Sequence, residues 1–479
     1  MEKHTKTSFV YEICSVLSFT FVIVYFLDII WLGNGSLGKI GSLSTRILWF
    51  VLAGACSIPM LIKNIRFLLQ NKFVWLVCAF LVWMAICVLR GIIKGNSQTI
   101  IKSDFFGFLN LCLLPTLLCV LATPKRRGVL AAVIVTSCLV IAGISVYLSY
   151  YTHFSYEQQV AVYNFTQKAG LCILVPMNSN TSRVLFHTAG RYFFVTYIIL
   201  LYSACKTKSV FRTVMYLACM GLMIVVIVMS YARAFYGGCG IAVIALLIFL
   251  AVRRPIYWHR AIAAVLISGV IGVAMTIGIA ATQNANIISV AVERILLSVN
   301  YEPPVHTEIT EPTEITKPTE ITEPTEITEP TEITEPTQPN ITDMDSEISS
   351  LDNRQQKLAQ LKASIADSPV IGHGLGAAVQ VDDGYVEYSY HDFINKMGVV
   401  GLLLYMAPFL LQIWEVAVSK HRRKYTIAAA CAVAVMVYFW IIAYFNPCMN
   451  TTVGIACYLL TITVLHYDIS EKSDSAQTS

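Results

Sequence analysis

Charge is what this chain most lacks. Only 13% of its 479 residues are Asp, Glu, Lys or Arg, against about 25% in soluble domains. That scarcity excludes a solvated globular protein of this length. Paired cysteine spacing is missing too. The 14 cysteines fall largely inside apolar stretches, where Cys56, Cys78, Cys112 and Cys219 are expected to behave as small buried apolar residues. A disulfide framework and a metal site are therefore not expected. There is also no phosphate-binding glycine loop and no local Ser-His-Asp pattern, so neither chemistry is signalled.

Apolar sequence fills the space that charge leaves. Hydrophobic residues make up 56% of the chain and the mean hydropathy is +0.65. The charges gather in clusters between apolar blocks of about 17 to 25 residues, the length needed to cross hydrocarbon. The expected fold is an all-α polytopic membrane protein with about 12 transmembrane helices. The spans fall near 9–31, 45–62, 73–93, 105–123, 128–150, 187–205, 211–231, 234–252, 261–282, 393–418, 425–445 and 451–467. Four regions follow: spans 1–9 within 1–282, a large extracytoplasmic loop over 283–390, spans 10–12 within 391–468, and a tail over 469–479. The first span is too long for a cleavable signal, and no small-residue cleavage site precedes the polar stretch near Gly33.

Basic residues set the orientation, because cytoplasmic loops are enriched in Lys and Arg. Lys63/Arg66/Lys72, Lys125/Arg126/Arg127, Lys206/Lys208/Arg212, Arg253/Arg254/Arg260 and Lys420/Arg422/Arg423/Lys424 fall in every second short loop. An even span count then puts both termini in the cytoplasm and the loops at about 151–186 and 283–390 outside. The net charge of +5 mostly reflects this arrangement and is not read as nucleic-acid affinity.

The larger outer loop has three parts. Residues 307–338 repeat Thr-Glu-Ile-Thr-Glu-Pro, with prolines at 312, 318, 324, 330 and 336. Proline at that spacing forbids a continuous helix and removes donors from any sheet. The tract reads as a solvated spacer without catalytic residues, or alternatively as an acidic tether in the cell wall. Asp343 to Ala366 then carries Ile348, Leu351, Leu358, Leu361 and Ile365 at helical spacing, an amphipathic helix. Arg354 and Lys362 fall on its apolar stripe. Pro369 ends it, and Gly372, Gly374 and Gly376 make a tight turn back to the membrane. The smaller outer loop is aromatic, with Tyr151, His153, Tyr156, Tyr163 and Lys168. Its rings suit a membrane belt or sugar stacking, and the sequence does not choose between them.

Few residues have the chemistry and position for a site. His391 lies in Tyr388-Ser389-Tyr390-His391-Asp392-Phe393-Ile394-Asn395-Lys396-Met397-Gly398-Val399-Val400-Gly401, where a polar loop meets a span. Ser389 with Asp392 three residues on resembles a capping box, which places His391 in the first helical turn. Free N–H groups there attract anions and favour a neutral imidazole that can accept a proton. A capping or interface histidine is the plainer alternative.

Arg233 stands in Ser230-Tyr231-Ala232-Arg233-Ala234-Phe235-Tyr236-Gly237-Gly238, a tight outer connection. Arginine near hydrocarbon needs a partner or water. It either snorkels to lipid phosphates or grips a pyrophosphate through paired hydrogen bonds. Arg191 and Arg183 flank another outer end and are candidates for further positive charge, or plain interfacial residues. Asp28 and Arg90 are isolated: a structural pair, or snorkelling groups.

The order of these features resembles the O-antigen ligase and polysaccharide polymerase superfamily of bacterial membrane glycosyltransferases. Ser-x-x-Arg closes a span, and a large outer loop carries an arginine on a helix. Asp367-Ser368-Pro369-Val370-Ile371-Gly372-His373-Gly374-Leu375-Gly376 follows, then a histidine and Gly-x-x-Gly entering the next span. The resemblance covers residues 225–415. It implies transfer of glycans from undecaprenyl diphosphate outside the cytoplasmic membrane. The donor is already activated, so the resemblance implies no cofactor, neither nucleotide sugar nor metal. Carried over, Arg233 and Arg354 neutralise the diphosphate and His391 orients or deprotonates the acceptor hydroxyl. Arg191, Ser230 and Asp392 are expected in substrate binding. The implied partners are the lipid-linked glycan, membrane lipids and other polysaccharide assembly and export proteins, with no nucleic acid. The family commonly has Asn after the histidine where this chain has Asp392, and the repeat tract is unusual. Both bear on which substrate is used.

Polymerase and ligase differ in acceptor, and polymerase is preferred because no outer loop suggests a docking module. The rival reading is a transporter or flippase for polysaccharide or lipid-linked oligosaccharide, which expects broken helices and paired ionisable residues near the bilayer midplane.

Overall fold

The computed structural model describes residues 2–32, 39–40, 43–178, 181–186, 188–253, 255–283, 286–299, 343–379, 388–418 and 427–477. The repeat tract at 307–338 and the basic segment Lys420–Lys424 lie outside the described residues.

Apolar blocks fold as helices because hydrocarbon offers no partner for a bare peptide group. The chain runs α1 (Glu2–Trp31), β1 (Lys39–Ile40), β2 (Leu43–Ser44), α2 (Thr45–Lys63), α3 (Ile65–Gln70), α4 (Lys72–Ile93), α5 (Gln98–Leu109), a 3₁₀ turn and α6 (Leu114–Val120). It continues with α7 (Pro124–Ser149), α8 (Tyr156–Ala169), β3 (Cys172–Asn178), β4 (Thr181–Phe186), α9 (Ala189–Lys206), α10 (Val210–Met229), α11 (Arg233–Arg253) and α12 (Pro255–Gln283). The remaining helices are α13 (Ile287–Val299), α14 (Asp343–Asp367), α15 (Ser389–Val418), α16 (Ile427–Phe445) and α17 (Thr452–Gln477). β3 and β4 form an antiparallel hairpin in the smaller loop, with Ile173 opposite Leu185 and Val175 opposite Arg183.

Among the described residues, 10 helices are long and apolar enough to cross a membrane. Ile62, Leu89, Val252, Leu266 and Val270 stand exposed on their outer faces, a surface that water would not tolerate and lipid would. Two of the dozen expected spans fall short of that standard. The segment near 187–205 is α9, which carries Arg191 and several tyrosines and is buried among its neighbours along most of its length. The segment near 451–467 is the apolar part of α17, Thr452–Asp468. The fold is an all-α polytopic membrane protein.

The bundle is assembled from pairs: α1 with α2, α10 with α9 and α12, α11 with α16, α15 with α4 and α14, and α16 with α17. One span is broken on purpose. Between α5 and α6 the Asn110 amide donates to the carbonyls of Phe106 at 3.0 Å and Gly107 at 2.9 Å, while its oxygen accepts from the Tyr25 hydroxyl at 2.7 Å. Asp28 pairs with Arg46 at 3.1 Å, not with Arg90, whose guanidinium donates to the Ser368 hydroxyl at 3.4 Å.

Candidate functional site

α15 does not run straight. Gly398 has φ 69, a left-handed conformation open to glycine. The break releases backbone groups on both sides, and the glycine-rich loop takes them up. Asn395 and Lys396 carbonyls accept from the amides of His373 at 2.7 Å and Gly374 at 2.9 Å. In return, the amides of Val399 and Val400 donate to the carbonyls of Pro369 at 2.9 Å and Val370 at 3.2 Å. A Cβ on Gly398 would stand 2.1 Å from the Val370 carbonyl oxygen. The loop is thus stitched into the kink rather than hanging over it.

The other face of the loop is clamped to the end of α4. Leu375 donates its amide to the Cys87 carbonyl at 2.9 Å. The Asn96 side chain donates to the carbonyl of Leu375 at 3.0 Å. His373 donates from Nε2 to the Ser364 carbonyl at 2.8 Å, which leaves Nδ1 to accept from the Lys94 ammonium at 2.9 Å. Beneath the loop, Lys396 is buried between two carboxylates, Asp104 of α5 and Asp392 of its own helix, each at 3.0 Å. The second oxygen of Asp104 accepts from the Gly376 amide at 3.1 Å.

His391 occupies the first turn of α15, half-buried, with its ring 6.0 Å from that of Tyr388 and 6.3 Å from that of Tyr444. Its buried Nδ1 meets no hydrogen-bond partner among the described residues. Lys362 of α14 lies near enough for its charge to bear on the ring. Ser389 does not cap α15 through Asp392. Its hydroxyl donates to the Asn446 carbonyl at 2.6 Å and accepts from the Cys448 amide at 2.9 Å, tying α15 to the end of α16. Asp392 is engaged by Lys396, and its other oxygen meets no partner among the described residues.

On α14, Leu361 is fully buried and Arg354 half-buried on the same stripe, as expected, while Lys362 is exposed rather than inward-facing. The Ser364 hydroxyl donates to the Asn395 side-chain oxygen at 2.7 Å, docking α14 on α15.

A second cluster forms at the α10–α11 corner. Tyr231, at φ 48, is the one non-glycine residue with positive φ among the described residues. Ser230 is buried, donating its hydroxyl to the Ile227 carbonyl at 2.6 Å and accepting from the Ala232 amide at 3.3 Å. Its own carbonyl accepts from Arg183 Nε at 3.0 Å. Arg233 opens α11 half-buried and donates to the carbonyl of Arg294, on α13, at 3.2 Å. Burial pushes the Tyr231 phenol up from its ordinary range, and the nearby Arg294 charge acts against it.

Arg191, in the first turn of α9, lies between the clusters. Burial raises the Cys448 thiol and the Arg191 charge works the other way, which places Arg191 beside the 446–451 turn that holds Ser389. α16 spans the interval, with Tyr438 packed on Phe194 and Phe235 and the Trp440 carbonyl accepting from Tyr390 at 2.8 Å. The structure therefore brings His391, Lys362 and Arg191 around the α15 end, and Arg354 stands about two turns before Lys362 on α14. Arg233 and Ser230 sit with Arg183 and Arg294 one helix away, and no described contact joins Arg233 to His391. Lys396, Asp104, His373, Lys94 and Asn96 were not singled out in the sequence. The one signal open to sequence is for Lys396 itself, its spacing of four from Asp392 on an otherwise apolar helix.

The described residues form a many-helix membrane protein with cations and an imidazole near one end of its bundle. The family model for O-antigen ligase like membrane proteins matches residues 108–466. That is well over half of the chain, which belongs to this family. Membership brings a glycan-processing, glycosyl-transfer role with lipid-linked glycans and membrane lipids as partners. The matched stretch contains Arg191, Ser230, Arg233, Arg354, His391 and Asp392. No curated protein matches the chain significantly.

Proposed function

We propose that this protein transfers or polymerises undecaprenyl-diphosphate-linked oligosaccharide units on the outer face of the bacterial cytoplasmic membrane, building a cell-surface polysaccharide such as a capsule or exopolysaccharide. One observation carries the reading. Arg191, Arg233 and His391 all stand in first turns of helices at the same bundle end, and α14, the helix that carries Arg354, packs on α15 there through Ser364. The basic residues Lys206, Lys208 and Arg212 lie at the other end of α10, whose 20 residues separate the two by about 30 Å. The basic-loop rule makes that other end cytoplasmic.

The chemistry then follows. The acceptor hydroxyl oxygen bonds to the anomeric carbon as the bond from that carbon to the diphosphate oxygen breaks. The hydroxyl proton passes to His391, and the lipid diphosphate leaves as an anion. Arg233 and Arg354 meet the charge that grows on the leaving group, already aimed and without solvent reorganisation. Arg191 adds a further positive charge. Ser230, whose hydroxyl and carbonyl are engaged within the fold, and Asp392, one of whose oxygens is held by Lys396, shape the site's walls. Purified protein in lipid nanodiscs, given defined lipid-linked repeats, should yield a ladder of products. Absence of any transfer by well-folded protein would sink the reading.

The flippase reading gains one feature, the buried Asp104–Lys396–Asp392 cluster beside a broken helix. Lys396 stands about two turns from the start of α15, away from the middle of the span, and its partners are occupied in holding the loop. Movement of lipid-linked glycan across vesicles without product would favour that reading.

The orientation has its own test. Cysteine placed at Thr325 should be labelled in intact cells, and cysteine at Ser475 only after permeabilisation. The reverse pattern would overturn the topology and the site with it. Deleting 307–338 should leave transfer within a few-fold, because a Pro- and Glu-rich tract offers little apolar surface for a packed site. Complete loss in a well-expressed deletion would give the tract a role in catalysis.

A further inference from the structure

The reaction assigned above leaves one buried group unused. Lys396 is 3% exposed, inside a segment read as membrane-spanning, where an ammonium is costly unless paired. Its partners come from separate parts of the chain. Asp392 is one turn earlier on α15, and Asp104 is on α5. Asp104 also accepts from Gly376 at 3.1 Å, and the Lys396 carbonyl accepts from Gly374 at 2.9 Å. One residue therefore ties α5, the glycine-rich loop and the opening turns of α15 together.

Such a knot fixes register. Sliding or rotating α15 by one residue would leave an ammonium and two carboxylates buried without partners, and an uncompensated buried charge costs far more than a poorly packed apolar group. His391 precedes Lys396 by five residues on the same short helical segment, before the break at Gly398. Whatever holds Lys396 holds the imidazole. Trp83 reinforces the same segment by donating Nε1 to the Met397 carbonyl at 3.0 Å, and Ser364 anchors it to α14 through Asn395.

We propose that Lys396, held by Asp104 and Asp392, is a positioning residue that fixes the first turns of α15, and with them His391, against the 372–376 loop for glycan transfer. The proposal rests on the glycosyl-transfer reading and goes beyond it by assigning a role to Lys396 and Asp104, neither of which that reading places against substrate. An imidazole displaced by about 1 Å is enough to lower a rate a hundredfold, while donor binding through the arginines is left in place.

The experiment uses full-length protein in nanodiscs with defined lipid-linked repeats, with kcat and the donor KM read separately. Lys396→Met is the direct variant, but it strands two buried carboxylates and a folding defect would have that cause alone, so the triple variant Asp104→Asn/Asp392→Asn/Lys396→Met, which buries no net charge, is made beside it. The triple variant should accumulate and elute like the parent. Its kcat should fall by about a hundredfold with the donor KM changed by no more than about threefold, the pattern of an interaction lost in the transition state. A folded triple variant with parental kcat overturns the proposal. So does one that fails to accumulate, or whose activity falls only in proportion to its folded fraction, because the cluster is then needed for folding alone. The glycosyl-transfer reading fails separately: parent protein that makes no product overturns it before any variant is compared.

Discussion

His391→Ala is expected to lower glycan transfer by about a hundredfold or more, the range that loss of a positioned general base produces. The expectation rests on placement. The ring opens α15, where backbone N–H groups are not yet used by the helix and favour an anionic neighbour. Its buried Nδ1 meets no partner among the described residues, so the imidazole is not consumed by a structural hydrogen bond at that atom. Tyr388 and Tyr444 flank it edge-on and limit how far it can swing. His391→Gln keeps a polar side chain of similar reach without a comparable base, and should recover little activity. The measurement is initial rate of product formation, with each variant first shown to insert and accumulate. Transfer near the parental rate by His391→Ala would reduce the residue to an interface aromatic and leave the reaction without its base.

Much of the frame could be read from the sequence because hydrocarbon imposes a single rule on long apolar blocks: each closes its own hydrogen bonds as a helix. The same rule fails where hydropathy is diluted. α9 carries Arg191, Tyr192, Tyr197 and Tyr202 because it faces other helices rather than lipid, and this burial in protein cannot be told from its composition. The β3–β4 hairpin, α8 and α13 are too short for periodicity to declare them. The Asp343–Ala366 helix was visible through its spaced apolar residues, and Arg354 lies on that stripe with Leu361. Lys362 does not, since its long side chain reaches the surface from the stripe's edge.

The candidate site shows its conspicuous residues in the sequence and hides the residues that support them. A histidine at a span mouth and an arginine at a tight turn stand out because polar groups are scarce. Gly398 does not stand out. It reads as part of a Gly-x-x-Gly entering a span, yet its positive φ breaks the helix and admits the 369–375 loop. Nothing local marks that seam, which joins residues far apart in the chain. Ser389 and Asp392 show the opposite error. Their spacing suggests a capping box, but the hydroxyl serves the α16 end and the carboxylate serves Lys396, because buried polar groups take whichever partners the tertiary fold supplies.

Arg233→Lys should cut transfer by about tenfold or more, with Arg354→Ala similar, whereas Lys102→Ala, exposed on α5 at the same end of the bundle, should be mild. Lysine keeps the charge of Arg233 and loses the planar fork. That fork matters twice here. Arg233 donates to the Arg294 carbonyl at 3.2 Å, and a guanidinium can hold a backbone carbonyl with one nitrogen while presenting others to phosphate oxygens. An ammonium is a point charge with no such division of labour. The two jobs can be told apart. If Arg233 only anchors α13 against α11, the lysine variant should lose thermal stability while surviving molecules keep the parental donor KM and kcat. If it meets the diphosphate, the variant should stay folded and lose kcat/KM for the lipid-linked donor. The loss should shrink for a donor carrying a monophosphate in place of the diphosphate, since there is less leaving-group charge for the fork to hold. A folded Arg233→Lys protein with unchanged kcat/KM would remove Arg233 from the site and leave Arg354 and Arg191 to carry the leaving group's charge.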